Sequence, residues 1–335
     1  MINKDEVKNI LISRTDRLGD VILSLPLIPA AKKIFGNARL SFLGREYVKE
    51  LIYDYDGIDE FISIDSEDIS GSFSKKFNLI KNKNFDLVIN VKPEFDLALM
   101  FYLSGIKYRI GTGYRWYSIL YNYKVYEHRK ISDKHESDYN LNLLKNFFPD
   151  PENEKIFNFR NSDEDKNRFR EKISKENLQP EENYVIIHPG SSGSARDLPA
   201  NKFSEITNLL LERYPYHKIV MTGLSNEREL IAQIIKNIRK EFQNRIIDLS
   251  GKLDLRELLI LIDNSKLFIS NSTGPIHIAG ALNKNIIGFY PNEETMSSTR
   301  WKPLSENCVI INPSLNKNME SIDTEKILSA AEKYL

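Results

Sequence analysis

Short apolar runs rich in β-branched residues alternate along this chain with longer segments whose apolar positions recur at helical spacing. In the first half, this pattern predicts strands at 10–13, 38–43, 61–64, 85–89 and 108–111, and helices at 20–34, 46–53 and 95–103. In the second half, it predicts strands at 184–187, 218–221, 245–248, 267–269 and 286–289, and helices at 201–213, 226–240, 255–263 and 324–334. Apolar strands that alternate with helices are typical of parallel sheets covered on both faces. We therefore expect an α/β chain with two consecutive doubly wound units.

The alternation breaks between about residues 114 and 183, and we place the domain boundary in this region. Helical patterns at 133–147 and 162–176 flank a Phe-Pro-Asp-Pro segment at 148–151, which is typical of a chain break. We expect a first domain over 1–165 and a second over 166–321, with a C-terminal helix at about 322–335 able to pack back onto the first.

The composition excludes several classes of protein. Lys plus Arg and Asp plus Glu both number 47 in 335 residues, so the chain has no overall charge to attract nucleic acid. The single Cys308 excludes an internal disulfide and fits a reducing compartment. The N-terminus lacks the apolar core of a signal peptide, and no apolar stretch is long enough to span a bilayer. We expect a cytoplasmic protein, at most peripheral on the inner face of the membrane.

Small polar loops follow four strands of the second half. The turn Ser-Asn-Ser-Thr-Gly-Pro-Ile-His at 270–277 joins a strand to a helix, where backbone N–H groups bind anions. The loop 188–196 brings Arg196, which can pair with phosphate, and Glu227 can bond a ribose hydroxyl. Each feature alone is equally consistent with an ordinary cap or loop. Together with the loop at 250–253, they predict a nucleotide site at one sheet edge of the second domain.

The first strand ends in Arg-Thr-Asp-Arg-Leu-Gly-Asp-Val at 14–21, which lacks the glycine fingerprint of dinucleotide-binding proteins. Asp20 falls at the start of the following helix. A carboxylate there either caps the helix or acts as a general base on an incoming hydroxyl. Asp16, in the same turn, is the rival carboxylate.

Four motifs, taken in order, resemble those of glycosyltransferase family 9, whose best-known members are the lipopolysaccharide heptosyltransferases. They are I-S-R-T-D-R-L-G-D-V-I-L-S-L-P at 12–26, H-P-G at 188–190, D-L-S-G-K-L-D-L-R-E-L at 248–258 and S-N-S-T-G-P-I-H at 270–277. The resemblance implies the GT-B fold, in which two Rossmann-like domains with doubly wound parallel sheets face each other across a cleft. It also implies inverting, metal-independent transfer from a nucleotide sugar, typically ADP-heptose, to a lipopolysaccharide core or related surface glycan. The nucleotide sugar is then a substrate, and neither a cofactor nor a metal is expected.

The resemblance also implies roles for individual residues. It assigns the general base to Asp20. It assigns donor binding to Ser191, Ser192, Arg196, Glu227, Leu253, Ser272, Thr273, Gly274 and His277. We assign acceptor binding, in the first domain, to Arg17, Gly19, Arg109, Arg115 and Lys130. Two positions depart from the family pattern: Ser272 stands where many relatives have Asp, and Leu198 stands where Trp is usual. Both departures leave room for a different nucleotide sugar.

The stretch 107–130 interleaves Lys and Arg with Tyr and Trp. It suits a lipid-linked or free anionic oligosaccharide and peripheral contact with the inner membrane. The alternative is a β-rich segment with ordinary surface Lys and Tyr. Nucleic acid is not expected as a partner. The Asp-Tyr-Asp at 54–56 resembles a metal-binding D-x-D but is predicted to be a surface turn. A non-catalytic nucleotide- or glycan-binding protein of the same fold is the alternative function, and a nicotinamide-dependent dehydrogenase is disfavoured by the missing glycine fingerprint.

Overall fold

The computed structural model describes residues 2–147, 155–179, 181–193 and 195–335. The chain divides into two units, Met1–Arg160 and Asn161–Leu335. The predicted break at 148–151 lies outside the described residues. The predicted boundary at 165/166 would have cut the helix Asp163–Ser174, which belongs whole to the second unit. Its start is fixed by Ser162, whose hydroxyl accepts a hydrogen bond from the Asp165 N–H at 3.0 Å.

The first unit is one parallel sheet covered by helices. Its strands are β1 (Asn9–Ser13), β2 (Arg39–Gly44), β3 (Glu60–Ser63), β4 (Leu87–Asn90), β5 (Tyr108–Thr112) and β6 (Tyr123–Val125). Its helices are α1 (Leu18–Ile22), α2 (Leu27–Phe35), α3 (Lys49–Ile52), α4 (Phe73–Asn82), α5 (Phe95–Leu103) and α6 (Glu136–Leu141). The 3₁₀ turns are Lys4–Glu6, Glu46–Val48, Trp116–Leu120 and Asn142–Leu144. The strand order is β3-β2-β1-β4-β5-β6, so the order reverses between β1 and β4.

Two features of the first unit differ from the sequence prediction. The predicted helix 20–34 is two helices, because Pro26 has no N–H to continue the hydrogen bonding of α1 and instead precedes α2. Strand β6 and helix α4 were not predicted. The central strand β1 is confirmed as a strand buried on both faces, since Ile10, Leu11 and Ile12 have no exposed surface.

The second unit repeats the architecture. Its strands are β7 (Tyr184–His188), β8 (Lys218–Met221), β9 (Ile246–Asp248), β10 (Leu267–Asn271), β11 (Ile286–Phe289) and β12 (Cys308–Ile311). Its helices are α7 (Asp163–Ser174), α8 (Ala200–Arg213), α9 (Arg228–Lys236), α10 (Leu255–Asn264), α11 (Gly274–Ala281), α12 (Ser298–Trp301) and α13 (Thr324–Ala331). The 3₁₀ turns include Ser225–Glu227, Lys240–Arg245, Glu294–Met296 and Met319–Ser321. All pairs are parallel in the order β12-β11-β10-β7-β8-β9, which reverses between β7 and β10.

The C-terminal helix α13 is part of the second unit. Its Ile327 and Ala331 are buried in the same apolar cluster as Phe203 and Leu211 of α8. Helix α13 packs on α8 within the second unit, and its predicted return to the first domain stays a prediction. No helix in the described part of the chain combines the length and the hydropathy that crossing a bilayer requires.

Candidate active site

In the first unit, the predicted base Asp20 lies in the first turn of α1, directly after the loop that leaves β1. Because the strand order reverses between β1 and β4, a crevice opens outside the carboxyl ends of these two strands. Thr15 follows β1 and Glu94 follows β4, and the Thr15 hydroxyl lies 3.5 Å from Glu94 Oε2. The sheet topology therefore places residues 14–20, called the Asp20 turn below, beside the position where ligands bind in doubly wound sheets.

Arg14 is the central contact of this turn. Its guanidinium is buried, with Nε donating to Asp16 Oδ1 at 2.7 Å and Nη2 paired with Asp20 Oδ1. Nη2 also lies 3.5 Å from Glu136 Oε1, and Nη1 donates to Asn140 Oδ1 at 3.4 Å. One cation thus joins the β1 loop to helix α6. The Arg14–Asp20 pair engages Oδ1, so Oδ2 is the Asp20 oxygen left, within the described residues, for a substrate hydroxyl.

Glu136 is almost fully buried beneath this turn, between Arg14 and Arg129, whose Nη1 contacts Glu136 Oε1. Burial of a carboxylate is unfavourable unless it is paired, and two guanidinium groups supply the pairing here. Glu136 was not among the predicted site residues, because the distant partner Arg14 is brought to it only by the fold. Every residue from 133 to 138 is polar, so no local pattern set Glu136 apart.

The environment raises the pKa of Asp20 to about 6. Burial is the main cause, because it disfavours the charged carboxylate; the Arg14 guanidinium opposes it, and the charges of Asp16 and Glu136 add to it. For Arg14 itself, burial disfavours the charge, but Asp20, Asp16 and Glu136 outweigh this effect and raise its pKa. Arg14 therefore stays a cation, and Asp20 is a carboxylate whose basicity suits proton transfer near neutral pH.

The structure separates the predicted acceptor residues. Arg17 is exposed and directly precedes α1, and Gly19 is buried inside α1, so both share the turn of Asp20. Arg115 and Lys130 are exposed. Arg109 is different: its Nε donates to the Leu120 carbonyl at 2.8 Å and its Nη1 to the Ile106 carbonyl.

The acceptor prediction for Arg109 is not supported by this geometry. Arg109 is the second residue of β5, towards the end of the strand opposite to the Asp20 turn. Its side chain ties down the segment that connects β5 to β6, and burial lowers its pKa. Two other cations of the stretch 107–130 are engaged as well, Lys107 with Glu6 and Arg129 with Glu136.

In the second unit, the ends of β7 and β8 meet through His188. Its Nδ1 lies 2.9 Å from Thr222 Oγ1, and the ring is buried. Burial lowers the pKa of His188 to about 4, although the nearby Glu227 charge opposes the shift. The imidazole is therefore neutral near pH 7 and holds the two strand ends together as a hydrogen-bonding group.

Glu227 is buried beside the loop that follows β7. Its Oε1 accepts from the Ser192 N–H at 3.0 Å and the Ser192 hydroxyl at 2.9 Å, and its Oε2 accepts from the Leu224 N–H at 2.8 Å. A Cβ on Gly190 would lie 2.2 Å from this carboxyl group, so only glycine leaves room for it. The structure thus brings together Ser192 and Glu227, two of the predicted donor residues.

Asn271 fixes the turn at 270–277 through two side-chain hydrogen bonds. Asn271 Nδ2 donates to the Pro189 carbonyl at 2.6 Å, and its Oδ1 accepts from the Leu198 N–H at 2.9 Å. The Ser270 and Thr273 hydroxyls lie 3.1 Å apart just before α11. Asn271 was not predicted as a site residue, because its contacts serve to hold Pro189 and Leu198 against β10.

The remaining residues predicted to bind the donor lie along the same sheet edge. Thr273 directly precedes α11, which begins at Gly274, has Pro275 in its first turn, and carries the buried His277. Ser191 is buried, while Ser272 and Leu253 are half-buried. Arg196 is exposed, and its Nε pairs with Glu293 Oε1 at 2.5 Å. Ser194, within the predicted phosphate loop, lies outside the described residues.

Across the residues that the structure describes, no group of three or more His, Cys, Asp or Glu side chains could hold a metal ion. At the Asp-Tyr-Asp of 54–56, Asp56 pairs with Arg160, and Tyr55 is buried with its hydroxyl accepting from the Asn158 N–H at 2.9 Å. The contacts of Tyr55 and Asp56 therefore support the fold of the first unit.

The chain is similar to known glycosyltransferases over most of its length. Residues 74–331 match the family model of glycosyltransferase family 9 (heptosyltransferase). A Haemophilus influenzae protein with a provisional glycosyltransferase assignment is 28% identical over 320 residues, which are 90% of this chain and 87% of that protein. Lipopolysaccharide heptosyltransferase 3 of Escherichia coli is 24% identical over 332 residues, 95% of this chain and 90% of that protein.

A solved structure agrees with the architecture. The E. coli ADP-heptose LPS heptosyltransferase II has a TM-score of 0.82 to this chain at 20% identity, and the match covers 98% of both chains. The predicted fold class, GT-B with two doubly wound parallel sheets, is confirmed by this likeness and by the two strand orders.

Proposed function

This chain belongs to glycosyltransferase family 9, the heptosyltransferase family, and we propose that it moves a heptose from ADP-heptose to a lipopolysaccharide core or related surface glycan. We propose further that transfer inverts the anomeric carbon and needs neither metal nor cofactor. The observation that carries the proposal is the Asp20 carboxyl, paired with Arg14 and raised in pKa to about 6 at the crevice of the first unit. The family relatives named above support the choice of donor and acceptor.

The proposed reaction begins with the acceptor hydroxyl bound to the first unit. Asp20 Oδ2 takes the proton of that hydroxyl while its oxygen attacks the anomeric carbon of the donor. The bond from this carbon to the diphosphate oxygen breaks, and its electron pair leaves with ADP. A base with a pKa of about 6 is ionised at neutral pH and still basic enough to accept the proton as the oxygen becomes acidic. Attack from the face opposite the diphosphate gives inversion.

The second unit would hold the donor along its sheet edge. The first N–H groups of α11, with the Thr273 hydroxyl, suit the diphosphate, and Glu227 suits the ribose hydroxyls. Arg196 can add a positive charge to the leaving group once it turns away from Glu293. Ser272 supplies a hydroxyl that contacts buried Tyr290, where many relatives have a carboxylate. A donor sugar other than heptose is therefore the first alternative for the test to examine.

The test is a transfer assay with purified protein and a lipopolysaccharide acceptor that lacks the terminal heptose. ADP-heptose is compared with a panel of other ADP-, UDP- and GDP-sugars, and ADP release, product mass and anomeric configuration are measured. We expect an inverted heptosyl product whose yield is unchanged by EDTA. Asp20→Ala should abolish transfer and retain the thermal shift produced by ADP, whereas full activity of this variant would reject the assigned base. Binding of ADP-heptose without any turnover would support the non-catalytic alternative.

We also propose that the enzyme works in the cytoplasm, at the inner face of the membrane. The support is the exposed Ile131, which is 62% accessible, near the exposed Lys124 and Lys130 in the same segment. Flotation with vesicles of anionic phospholipid tests this contact. Recovery of the protein with these vesicles, lost in high salt, is the expected result, and no recovery at low salt would reject it.

A further inference from the structure

A second cavity at the ligand-binding edge of the first unit has no role in the reaction described so far. It encloses about 570 Å³ and is lined by Pro93, Glu94, Phe95, Asp96, Arg115, Trp116 and Tyr117. The residues come from the loop after β4, from the start of α5 and from the 3₁₀ turn after β5. They are therefore held by elements at the carboxyl end of the sheet, where doubly wound sheets bind ligands.

Trp116 forms an open aromatic surface in this cavity. Its ring stacks at a tilt on Phe95, with 4.8 Å between centroids and 30° between planes, and Tyr117 lies edge-on at 5.4 Å. Although Phe95 covers one side, Trp116 remains 79% exposed, so the other face of the indole is open. An exposed aromatic ring with one open face can stack on a ligand, and Trp is enriched at binding surfaces.

Charged groups surround the aromatic surface. Arg115 provides a cation, and Glu94 and Asp96 provide carboxylates. A neighbouring cavity of about 460 Å³ shares Glu94 and Asp96 and adds Thr15, Arg45 and Lys76 among its lining residues. Thr15 directly follows Arg14, the partner of Asp20. The two cavities thus extend from the Asp20 turn to Trp116.

We propose that these two cavities form one groove that binds an anionic oligosaccharide, with Trp116 stacking on the apolar C–H face of a sugar ring. Glu94 and Asp96 accept hydrogen bonds from sugar hydroxyls, and Arg115, with Arg45 and Lys76, pairs with phosphate or carboxylate substituents. That the oligosaccharide is the transfer acceptor rests on the proposed function. The groove extends that proposal by naming an acceptor subsite at a distance from the reacting hydroxyl.

A membrane surface fits the same residues less well. Glu94 and Asp96 line the groove beside Trp116 and can accept hydrogen bonds from the many hydroxyls of a sugar, whereas an anionic phospholipid surface presents mainly phosphate oxygens, which do not donate. The cavity beside Trp116 has a volume of about 570 Å³, which a flat bilayer surface would leave unfilled. Ile119 provides a control, since it lies on the same 3₁₀ turn and is 80% exposed but does not line the groove.

The test uses Trp116 as its own reporter. The chain has two tryptophans, so Trp301→Phe, in the second unit, leaves Trp116 as the only indole. This protein is titrated with a delipidated, phosphorylated lipopolysaccharide core oligosaccharide and with the same oligosaccharide after phosphatase treatment. Calorimetric titration of the wild-type chain gives the affinity independently of the tryptophan substitution. Vesicles of anionic phospholipid are the third ligand.

We expect a saturable change in Trp116 emission with the oligosaccharide. Trp116→Ala should weaken its binding about fivefold to tenfold, as expected for loss of one aromatic contact, and raise KM for the acceptor while KM for the donor is unchanged. Ile119→Ala should change none of these quantities. If phosphate is the recognised group, Arg115→Gln should reduce the affinity for the phosphorylated oligosaccharide to that of the dephosphorylated one. If the variant loses affinity equally for both oligosaccharides, the recognised group is a sugar carboxylate.

Two outcomes would reject the proposed saccharide groove. The first is the absence of any emission or calorimetric change at millimolar oligosaccharide. The second is that the Trp116→Ala and Ile119→Ala variants lose vesicle binding equally while no oligosaccharide binds. The second outcome identifies a membrane surface. Failure of the proposed function is distinguishable, because saccharide binding at Trp116 without any sugar transfer would retain the groove and reject the transferase reaction.

Discussion

Replacing the proposed base by its neutral isostere, Asp20→Asn, should make the folded protein more stable at neutral pH while it abolishes transfer. The reason is that burial, which raises the pKa of Asp20 to about 6, makes its ionised form unfavourable in the folded chain despite the Arg14 pair. Asparagine keeps the shape of the side chain and removes the charge. The variant therefore separates the electrostatic cost of the base from its chemical function.

The size of the effect follows from the pKa. The ordinary pKa is 3.8 and the folded value is about 6. At about 1.4 kcal/mol for each pKa unit, ionised Asp20 destabilises the folded state by about 3 kcal/mol at pH 7.5. The variant also takes one carboxylate partner from buried Arg14, which offsets part of the gain, so we expect about 1 to 3 kcal/mol.

The pH dependence has a definite sign. Between pH 6 and 3.8 the folded wild-type protein binds the Asp20 proton more tightly than the unfolded chain, so its stability rises as the pH falls through this window. The advantage of Asp20→Asn should therefore be full above pH 6 and disappear towards pH 4. For a unit of this size, about 3 °C in Tm corresponds to each kcal/mol.

The assay is scanning calorimetry of both proteins at pH 7.5 and pH 4.5. Glu46→Gln, which changes a half-exposed carboxylate elsewhere in the first unit, is the control and should show no comparable gain. If Asp20→Asn unfolds at a lower temperature than wild type by the same amount at both pH values, then the Arg14 pair outweighs burial. The raised pKa, and the catalytic argument that uses it, would then be wrong.

Three further substitutions test the surroundings of the two sites. Asp16→Asn should retain transfer and move the acid limb of kcat/KM below pH 6, because the Asp16 charge raises the pKa of Asp20; loss of transfer would make Asp16 the base. Glu136→Gln should lower the stability by about 3 to 5 kcal/mol in urea unfolding, since it removes the carboxylate from a buried charge cluster, and an unchanged midpoint would contradict this. Gly190→Ala should raise KM for the donor at least about tenfold with KM for the acceptor unchanged, because its Cβ displaces the Glu227 carboxyl; equal donor affinity would show that Glu227 is not a donor contact.

The sequence was most informative where local patterns determine structure. Apolar strands predicted both sheets, and small polar loops predicted the edge at which Ser192 and Glu227 meet. Short edge strands such as β6 and β12 were missed, since three or four residues carry too little pattern to distinguish them from loops. Pro26 marked the break between α1 and α2, and the prediction of one continuous helix ignored it.

The contacts of individual charged side chains could not be predicted. Arg14 and Glu136 are brought together by packing of α6 near the β1 loop, which no spacing rule within either segment encodes. The contacts of Arg109 could not be predicted for the same reason. Its sequence context suggested a surface cation, but the chain folds two backbone carbonyls onto its guanidinium.

The Asp20 turn depends on a balance that neither partner could provide alone. Burial without Arg14 would raise the pKa of Asp20 further, so that the carboxyl would be protonated, and useless as a base, at neutral pH. Arg14 without competing carboxylates would lower the pKa and leave a weak base. Asp16 and Glu136 pair with the same guanidinium, and their negative charges offset part of its attraction for Asp20. The pKa of Asp20 therefore stays at about 6. Stability alone would favour fewer buried charges around Arg14. The proposed proton transfer by Asp20 gives a reason for their presence.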